Sequence, residues 1–156
     1  MALEFVRNTS TEAAVAAHLA ECDADFEPPL SRRVELNAYA RKLVTLATRF
    51  EALADRRLVG LVAAYCDDLA SRQAFITSVS VSPDWTGQGI ALRLMRESIA
   101  YATEAGMRTI ALEVGAKNGR AIGLYSKLGF AADAGPRQDM LRMTLALRGP
   151  ESMPPP

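Results

Sequence analysis

The chain has 156 residues, 49% of them hydrophobic, with 18 Lys and Arg set against 18 Asp and Glu. That length suits one domain with its own core, and the zero formal charge argues against nucleic acid as a partner, although backbone amides at a helix end can still hold a small anion. No apolar run is long enough to cross a membrane, MALEFVRNTSTEAA does not read as a signal peptide, and Cys22 and Cys66 lack CxxC spacing, so a cytoplasmic protein with reduced thiols and no membrane partner is the economical expectation.

Residues 3–7, LEFVR, alternate as a first strand. Thr9 with Glu12 three positions on reads as a capping box for a helix over about 12–22, with the sole histidine, His18, on it in a surface or packing position. Pro28 and Pro29 interrupt helical structure, and Ser31 is placed to cap a second helix carrying Val34, Leu36, Tyr39, Ala40, Leu43 and Val44. The stretches TRFEALA, LVGLVAAYC and QAFITSVSV then read as an antiparallel meander. In the last of them Phe75, Thr77, Val79 and Val81 alternate with Ile76, Ser78 and Ser80. A helix over about 89–104, the strand TIALEVG, a helix in NGRAIGLYSKLG and the closing strand DMLRMTLAL follow. Leu141, Met143, Leu145 and Leu147 share one face of that last strand. The expected class is α/β of the α+β type: a mixed sheet of six to seven strands flanked by about four helices. It forms a single domain over 1–148, with a flexible proline-rich tail at 149–156.

No early strand–GxGxxG–helix unit and no GxxxxGK[ST] motif occur, so neither a dinucleotide fold nor a P-loop is expected. One histidine among scattered carboxylates gives no metal-ligand cluster. The informative junction is SVSVSPDWTGQGIALRLM. Pro83 stops a strand, Gly87 and Gly89 allow close approach to the backbone, and a helix starts near Gly89 with its first amides unpaired. Such a turn either cradles a phosphate or merely redirects the chain.

Together, VSVSPDWTGQGIALRLM and the later IALEVGAKNGRAIGLYSKLGFAA resemble the acyl-coenzyme A motif of the GNAT N-acetyltransferases and the strand, asparagine, helix, tyrosine and Leu-Gly-Phe series that follows it. The two blocks cover about 74–132 in the family's order. The resemblance implies an acyl-CoA N-acyltransferase fold whose sheet is splayed between its fourth and fifth strands, with acetyl-CoA as cofactor. It assigns Val79 and Val81 to strand-like pairing with the pantetheine arm, the amides of Gly87, Gln88, Gly89, Ile90 and Ala91 to the pyrophosphate, and Asn118 to the arm as well as to a helix cap. Thr86 stands where the family commonly has Arg or Gln, which removes a long side chain near the phosphates and leaves the amides intact.

The implied reaction is direct attack of a primary amine on the acetyl thioester, with Tyr125 as the proton donor to the departing thiolate. The amine must first lose a proton, and the carbonyl oxygen needs stabilising dipoles. Glu113, opposite in direction to Leu112 and Val114 on its strand, is a candidate base, and a water chain is the alternative; Asp67 and Asp68 are weaker candidates. Ser78 and Ser80 are placed to bind substrate or hold water. Arg32, Arg33 and Tyr39 are candidate acceptor-binding residues, as is the region ADAGPRQDM. The acceptor is expected to be a small-molecule amine; a peptide or protein amine, a non-catalytic acyl-CoA sensor and a structural domain are the alternatives. The exposed last strand and the habit of the family allow a homodimer.

Overall fold

A computed structural model describes residues 3–26, 29–133 and 139–148. The order of elements is β1 (Leu3–Arg7), α1 (Glu12–Cys22), α2 (Leu36–Leu46), β2 (Thr48–Ala54), β3 (Arg57–Tyr65), β4 (Gln73–Val81), α3 (Ile90–Glu104), β5 (Thr109–Gly115), α4 (Gly119–Lys127), β6 (Ala131–Ala132) and β7 (Met140–Ala146). The strands form one seven-stranded sheet in the order β1-β2-β3-β4-β5-β7-β6. Only β4 and β5 run parallel; every other neighbouring pair is antiparallel. The expected mixed sheet, its antiparallel first half and its four helices are present. Pro28, the 134–138 part of ADAGPRQDM and the 149–156 tail lie outside the described residues.

The sheet has a separate core on each face. Val15 and Leu19 of α1 and Ala40 and Leu43 of α2 pack with Leu58, Leu61 and Ala63 of β3. On the other face Ile90, Leu94, Met95 and Ala102 of α3 and Tyr125 of α4 pack with Val62, Ile76, Ile110, Leu112 and Met143. These are the 3.6- and 2-residue periodicities meeting, with each helix burying one stripe on alternate strand positions.

The helix starts differ from the sequence reading. The α1 cap is Thr11, whose side chain accepts from the Ala14 amide at 3.1 Å. Thr9 is drawn away because its amide and hydroxyl both bond Glu51 Oε1, at 2.8 and 3.1 Å. Glu51 is fully buried and pairs with Arg49 at 3.2 Å. The Arg49 guanidinium also donates to the Val44 and Ser10 carbonyls. With both charges paired and bonded, attraction and hydrogen bonds offset the desolvation cost of this buried pair, which ties the β1–α1 connection to β2. At α2 the cap is Glu35, not Ser31. The Asp23 carboxylate takes both the amide and the hydroxyl of Ser31, each at 2.7 Å, and fixes it within a short 3₁₀ turn, Leu30–Arg32.

A register shift alters β4. Ser78 pairs with Ala63 but Ile76 pairs with Ala64, so Thr77 is an extra residue. A bulge of this kind reverses the sense of alternation. Ile76 belongs to the α3–α4 core, whereas Ser78 and Ser80 lie opposite Ala63 and Leu61, which belong to the α1–α2 core. Val79 and Val81 pack on the α3–α4 side. The simple alternation read from sequence, with Ile76, Ser78 and Ser80 on one face, is therefore corrected. The Thr77 carbonyl accepts from the Tyr39 hydroxyl at 2.9 Å, which supports the bulge from α2.

Helix α3 lies so close to β3 that Gly60 has no room for a side chain. A Cβ there would stand 2.7 Å from Ile90 Cγ2 and 3.3 Å from Leu94 Cδ1. We expect Gly60→Ala to lower stability by about 1–3 kcal/mol, read as a lower urea midpoint at unchanged slope. An unchanged midpoint would show that α3 is free to shift outward.

Candidate active site

The sheet opens along its one parallel seam. Pairing between β4 and β5 ends at Ile76↔Leu112, although β4 continues to Val81 and β5 to Gly115. The far edges of both strands stay paired, to β3 and to β7. A cleft of about 830 Å³ fills the opening. The edge of β4 beyond Ile76 faces this space with backbone groups that the sheet leaves free on that side.

At one end the cleft meets the glycine turn. Gly87 and Gly89 have φ of 79° and 77°, a left-handed backbone that suits glycine. A Cβ at either position would meet nothing within 4 Å, so both backbones border open space. Gly89 caps α3 with no side-chain hydrogen bond, which leaves the first amides of the helix aimed outward. Thr86 turns its hydroxyl back to the Pro83 carbonyl at 3.1 Å and so braces the turn itself. The groups present at this end therefore suit an oxygen-rich anion, and the free edge of β4 suits an extended, amide-bearing arm. The Asn118 side chain caps α4, accepting from the Ala121 amide at 3.2 Å, and the residue also lines the cleft.

Tyr125 enters from the α3–α4 side. It is 6% exposed, stacks edge-on against Phe130 at 6.1 Å and lines the cleft. Burial pushes its hydroxyl up to about 12, so Tyr125 carries its proton through the neutral range. Glu113 reaches the cleft from the opposite sheet face: it is exposed and lies opposite Arg142 in the β5–β7 ladder, while Leu112 and Val114 point into the α3–α4 core. Ser78 lines the same cleft from the α1–α2 side, and its buried hydroxyl finds no partner among the described residues.

The segment between α1 and α2 lines that side with Asp25, Phe26, Leu30, Arg33 and Val34. Tyr39 also borders the cleft, with its hydroxyl held by Thr77. Burial raises the Tyr39 hydroxyl above its ordinary value. Of the residues singled out from sequence, the cleft gathers Ser78, Val79, Val81, Gly87, Gly89, Ile90, Ala91, Asn118, Tyr125, Glu113, Arg33 and Tyr39. Arg32 and Gln88 are exposed and not among its lining residues, and neither are Asp67 and Asp68. The Asp68 carboxylate is instead occupied by the amide and hydroxyl of Ser71, at 3.1 and 2.7 Å.

Residues that the sequence reading passed over also reach the cleft, among them Cys22, Trp85 and Arg120. The spacing of His18 and Cys22 on one face of α1 was the available signal for the first. Burial pushes the Cys22 thiol up to about 12 and that of Cys66 to about 11, which holds both as unreactive thiols at neutral pH. His18 is 2% exposed, and its ring bonds Ser80 of β4.

Known proteins show the same architecture. The [ribosomal protein bS18]-alanine N-acetyltransferase of Escherichia coli K12 is 38% identical over 58 residues, which are 37% of this chain and 39% of that protein. An uncharacterized N-acetyltransferase of Methanocaldococcus jannaschii, MJ1207, is 38% identical over 76 residues, 46% of this chain and 34% of that protein. The matches thus span between a third and a half of these relatives' lengths. The crystal structure of PaiA N-acetyltransferase from Thermoplasma acidophilum in complex with coenzyme A superimposes with a TM-score of 0.74 at 15% identity, over 94% of this chain and 99% of that one. The model of the acetyltransferase (GNAT) family matches residues 12–130, and the chain belongs to that family.

Proposed function

We propose that the protein transfers the acetyl group of acetyl-CoA to a primary amine at the end of a peptide or protein chain. The observation that carries the transfer is the opening of the sheet between β4 and β5 beside the glycine turn. It places an unpaired strand edge, a set of free helix-start amides and a protonated tyrosine around one cavity. Acetyl-CoA would supply the activated thioester, and a relative of the same fold has been crystallised with coenzyme A. The β4 edge at Val79 and Val81 would hold the pantetheine arm. The amides of Gly87 through Ala91 would hold the pyrophosphate by hydrogen bonds and by the positive end of α3. The Asn118 side-chain amide would meet the arm where β5 departs.

The acceptor would enter from the other sheet face, between α1 and α2. There Phe26, Leu30 and Val34 form an apolar wall, with Arg33 and Tyr39 beside it. Tyr125 then works from the α3–α4 side, where its hydroxyl, kept protonated by burial, donates to the departing sulfur. Placing acid and amine on opposite faces of the opening keeps the tyrosine proton away from the incoming nitrogen. Glu113 and Ser78 border the amine's side and are placed to orient it. A peptide terminus is favoured over a free small amine by the relative that acts on the alanine of ribosomal protein bS18.

The direct test incubates the purified protein with acetyl-CoA and either free-N-terminal peptides, the same peptides with blocked termini, or polyamines and amino sugars. Thiol release and the mass of one added acetyl group are then measured. We expect the free-terminal peptides to be acetylated and the blocked ones to be inert. Turnover confined to small amines would replace the peptide acceptor with a small-molecule one, and failure of coenzyme A to bind in a calorimetric titration would remove the transferase reading. Tyr125→Phe should lower kcat by about 10²-fold or more while coenzyme A affinity stays within a few-fold; unchanged turnover in a chemistry-limited assay would remove Tyr125 as the acid. Gly89→Val puts a β-branched side chain at a left-handed φ and into the cradle's open space. It should weaken coenzyme A at least tenfold, about 1.4 kcal/mol, and intact affinity would contradict the placement of the pyrophosphate.

A further inference from the structure

A line of polar side chains on the α1–α2 face of the sheet has no part in the chemistry above. Ser80 lies on the cleft wall, and its Oγ is 2.9 Å from His18 Nε2. On the far side of the ring, Nδ1 is 3.4 Å from Ser82 Oγ. Ser82 is fully buried, and its hydroxyl is the foremost influence holding the Glu21 carboxylate below the usual carboxylate range. Glu21 also pairs with Arg57 near the surface. The series Ser80, His18, Ser82 and Glu21 therefore starts in the cleft and ends at a carboxylate. Ser78, on the same face of β4 as Ser80, adds at the cleft end a buried hydroxyl without a partner among the described residues.

Donor chemistry gives the series a direction. A carboxylate only accepts, so a Ser82 hydroxyl turned toward Glu21 would keep its lone pairs for the ring. With the ring proton on Nδ1, facing Ser82, the bare Nε2 accepts from Ser80. Around the ring stand the Glu21 carboxylate, the Cys22 thiol, the Arg57 guanidinium and the carbonyls of Leu58 and Ser80. Burial, the largest of these influences, pulls the imidazole below its ordinary value of 6.5, so the ring is neutral and free to take a proton at pH 7.

We propose that His18 is the base of the reaction, acting through Ser80, with Ser82 and Glu21 holding the ring in the accepting tautomer. The proposal rests on the acetyl-transfer reading of the same cleft. As the acceptor ammonium becomes an amine, its N–H bond breaks and the electron pair stays on nitrogen. The proton passes to Ser80 Oγ while the Ser80 proton passes to His18 Nε2. The imidazolium so formed keeps Nδ1–H toward Ser82 and faces the Glu21 carboxylate. After product leaves, the same proton returns through Ser80 to water in the cleft. His18 does not line the cleft, so it is a positioning and proton-holding residue rather than one that touches substrate.

The chain contains one histidine, so the imidazole nitrogens of ¹⁵N-labelled protein can be followed by NMR without ambiguity. We expect the Nδ1–H tautomer, an ionisation below 6.5, and a displaced Nε2 signal in Ser80→Ala; an Nε2–H tautomer overturns the proposal. In the acetylation assay with a free-terminal peptide, we expect His18→Gln and Ser80→Ala each to lower kcat/KM about tenfold or more, with coenzyme A affinity unchanged by calorimetry. Wild-type kcat/KM should fall as pH drops through the His18 ionisation, because a protonated ring cannot accept, and His18→Gln should lose that limb. Ser80→Ala leaves the imidazole packed in place, so it separates proton transfer from folding. If the wild type turns over peptide and both variants keep its rate and pH profile, the His18 route falls and acetyl transfer stands. A wild type that acetylates no amine removes both.

Discussion

The parting of β4 from β5 is the constraint on which the remaining architecture depends. A parallel pair that stops at Ile76↔Leu112 leaves backbone donors and acceptors that a buried strand cannot leave unmet. The bulge at Thr77 coincides with the point of parting. Its extra residue turns Ser78 and Ser80 toward α1 and sends Val79 and Val81 toward α3. Without it, the two serine hydroxyls would point into an apolar core at a cost of roughly 1–3 kcal/mol each if unpaired. The Tyr39 hydroxyl, bonded to the Thr77 carbonyl, satisfies a group that the bulge would otherwise orphan. One irregular position thus sorts the β4 side chains at the cleft into valines facing α3 and serine hydroxyls facing α1.

In the proposed reaction anion recognition would fall to the backbone. The formal charge is zero, and the position that commonly supplies a long polar side chain in the family holds Thr86, whose hydroxyl is spent on the Pro83 carbonyl. What remains is the left-handed geometry of Gly87 and Gly89 and the open amides of α3. Such a cradle works only if the helix is held at a fixed distance from the sheet. The contact of Ile90 and Leu94 against Gly60 sets that distance. On the opposite face the buried Arg49–Glu51 pair, bonded to Thr9 and Ser10, anchors the start of α1. The same anchoring sets His18 against β4.

Most of this was legible because local rules and tertiary structure agree. Strands Gln73–Val81 and Thr109–Gly115 and helix Glu12–Cys22 fall where periodicity places them, and Asn118 is indeed a helix cap. The glycine turn and Tyr125 reach one cleft because the elements between them are short and regular. What was not legible depends on partners distant in the chain. Thr9 satisfies the local capping rule but is taken by Glu51, 42 residues on. Ser31 is taken by Asp23. The bulge has no signature in QAFITSVSV, since Thr, Ser and Val tolerate either face of a strand. His18 reads as an unremarkable residue on a helix of small side chains until β4 is laid against it.

In the proposed reaction the two faces of the sheet would keep a proton donor and a proton acceptor apart. On the α3–α4 side burial raises Tyr125 and keeps a proton available. On the α1–α2 side burial lowers His18 and keeps a lone pair available. Desolvation acts on both, and its sign differs only because the neutral form of tyrosine carries the labile proton while the neutral form of histidine lacks it. A single sheet with a core on each face can therefore hold one group that keeps its proton and another that keeps its lone pair at the same pH. Tyr125 meets the gap between β4 and β5 directly, whereas His18 stands behind Ser80 on its wall.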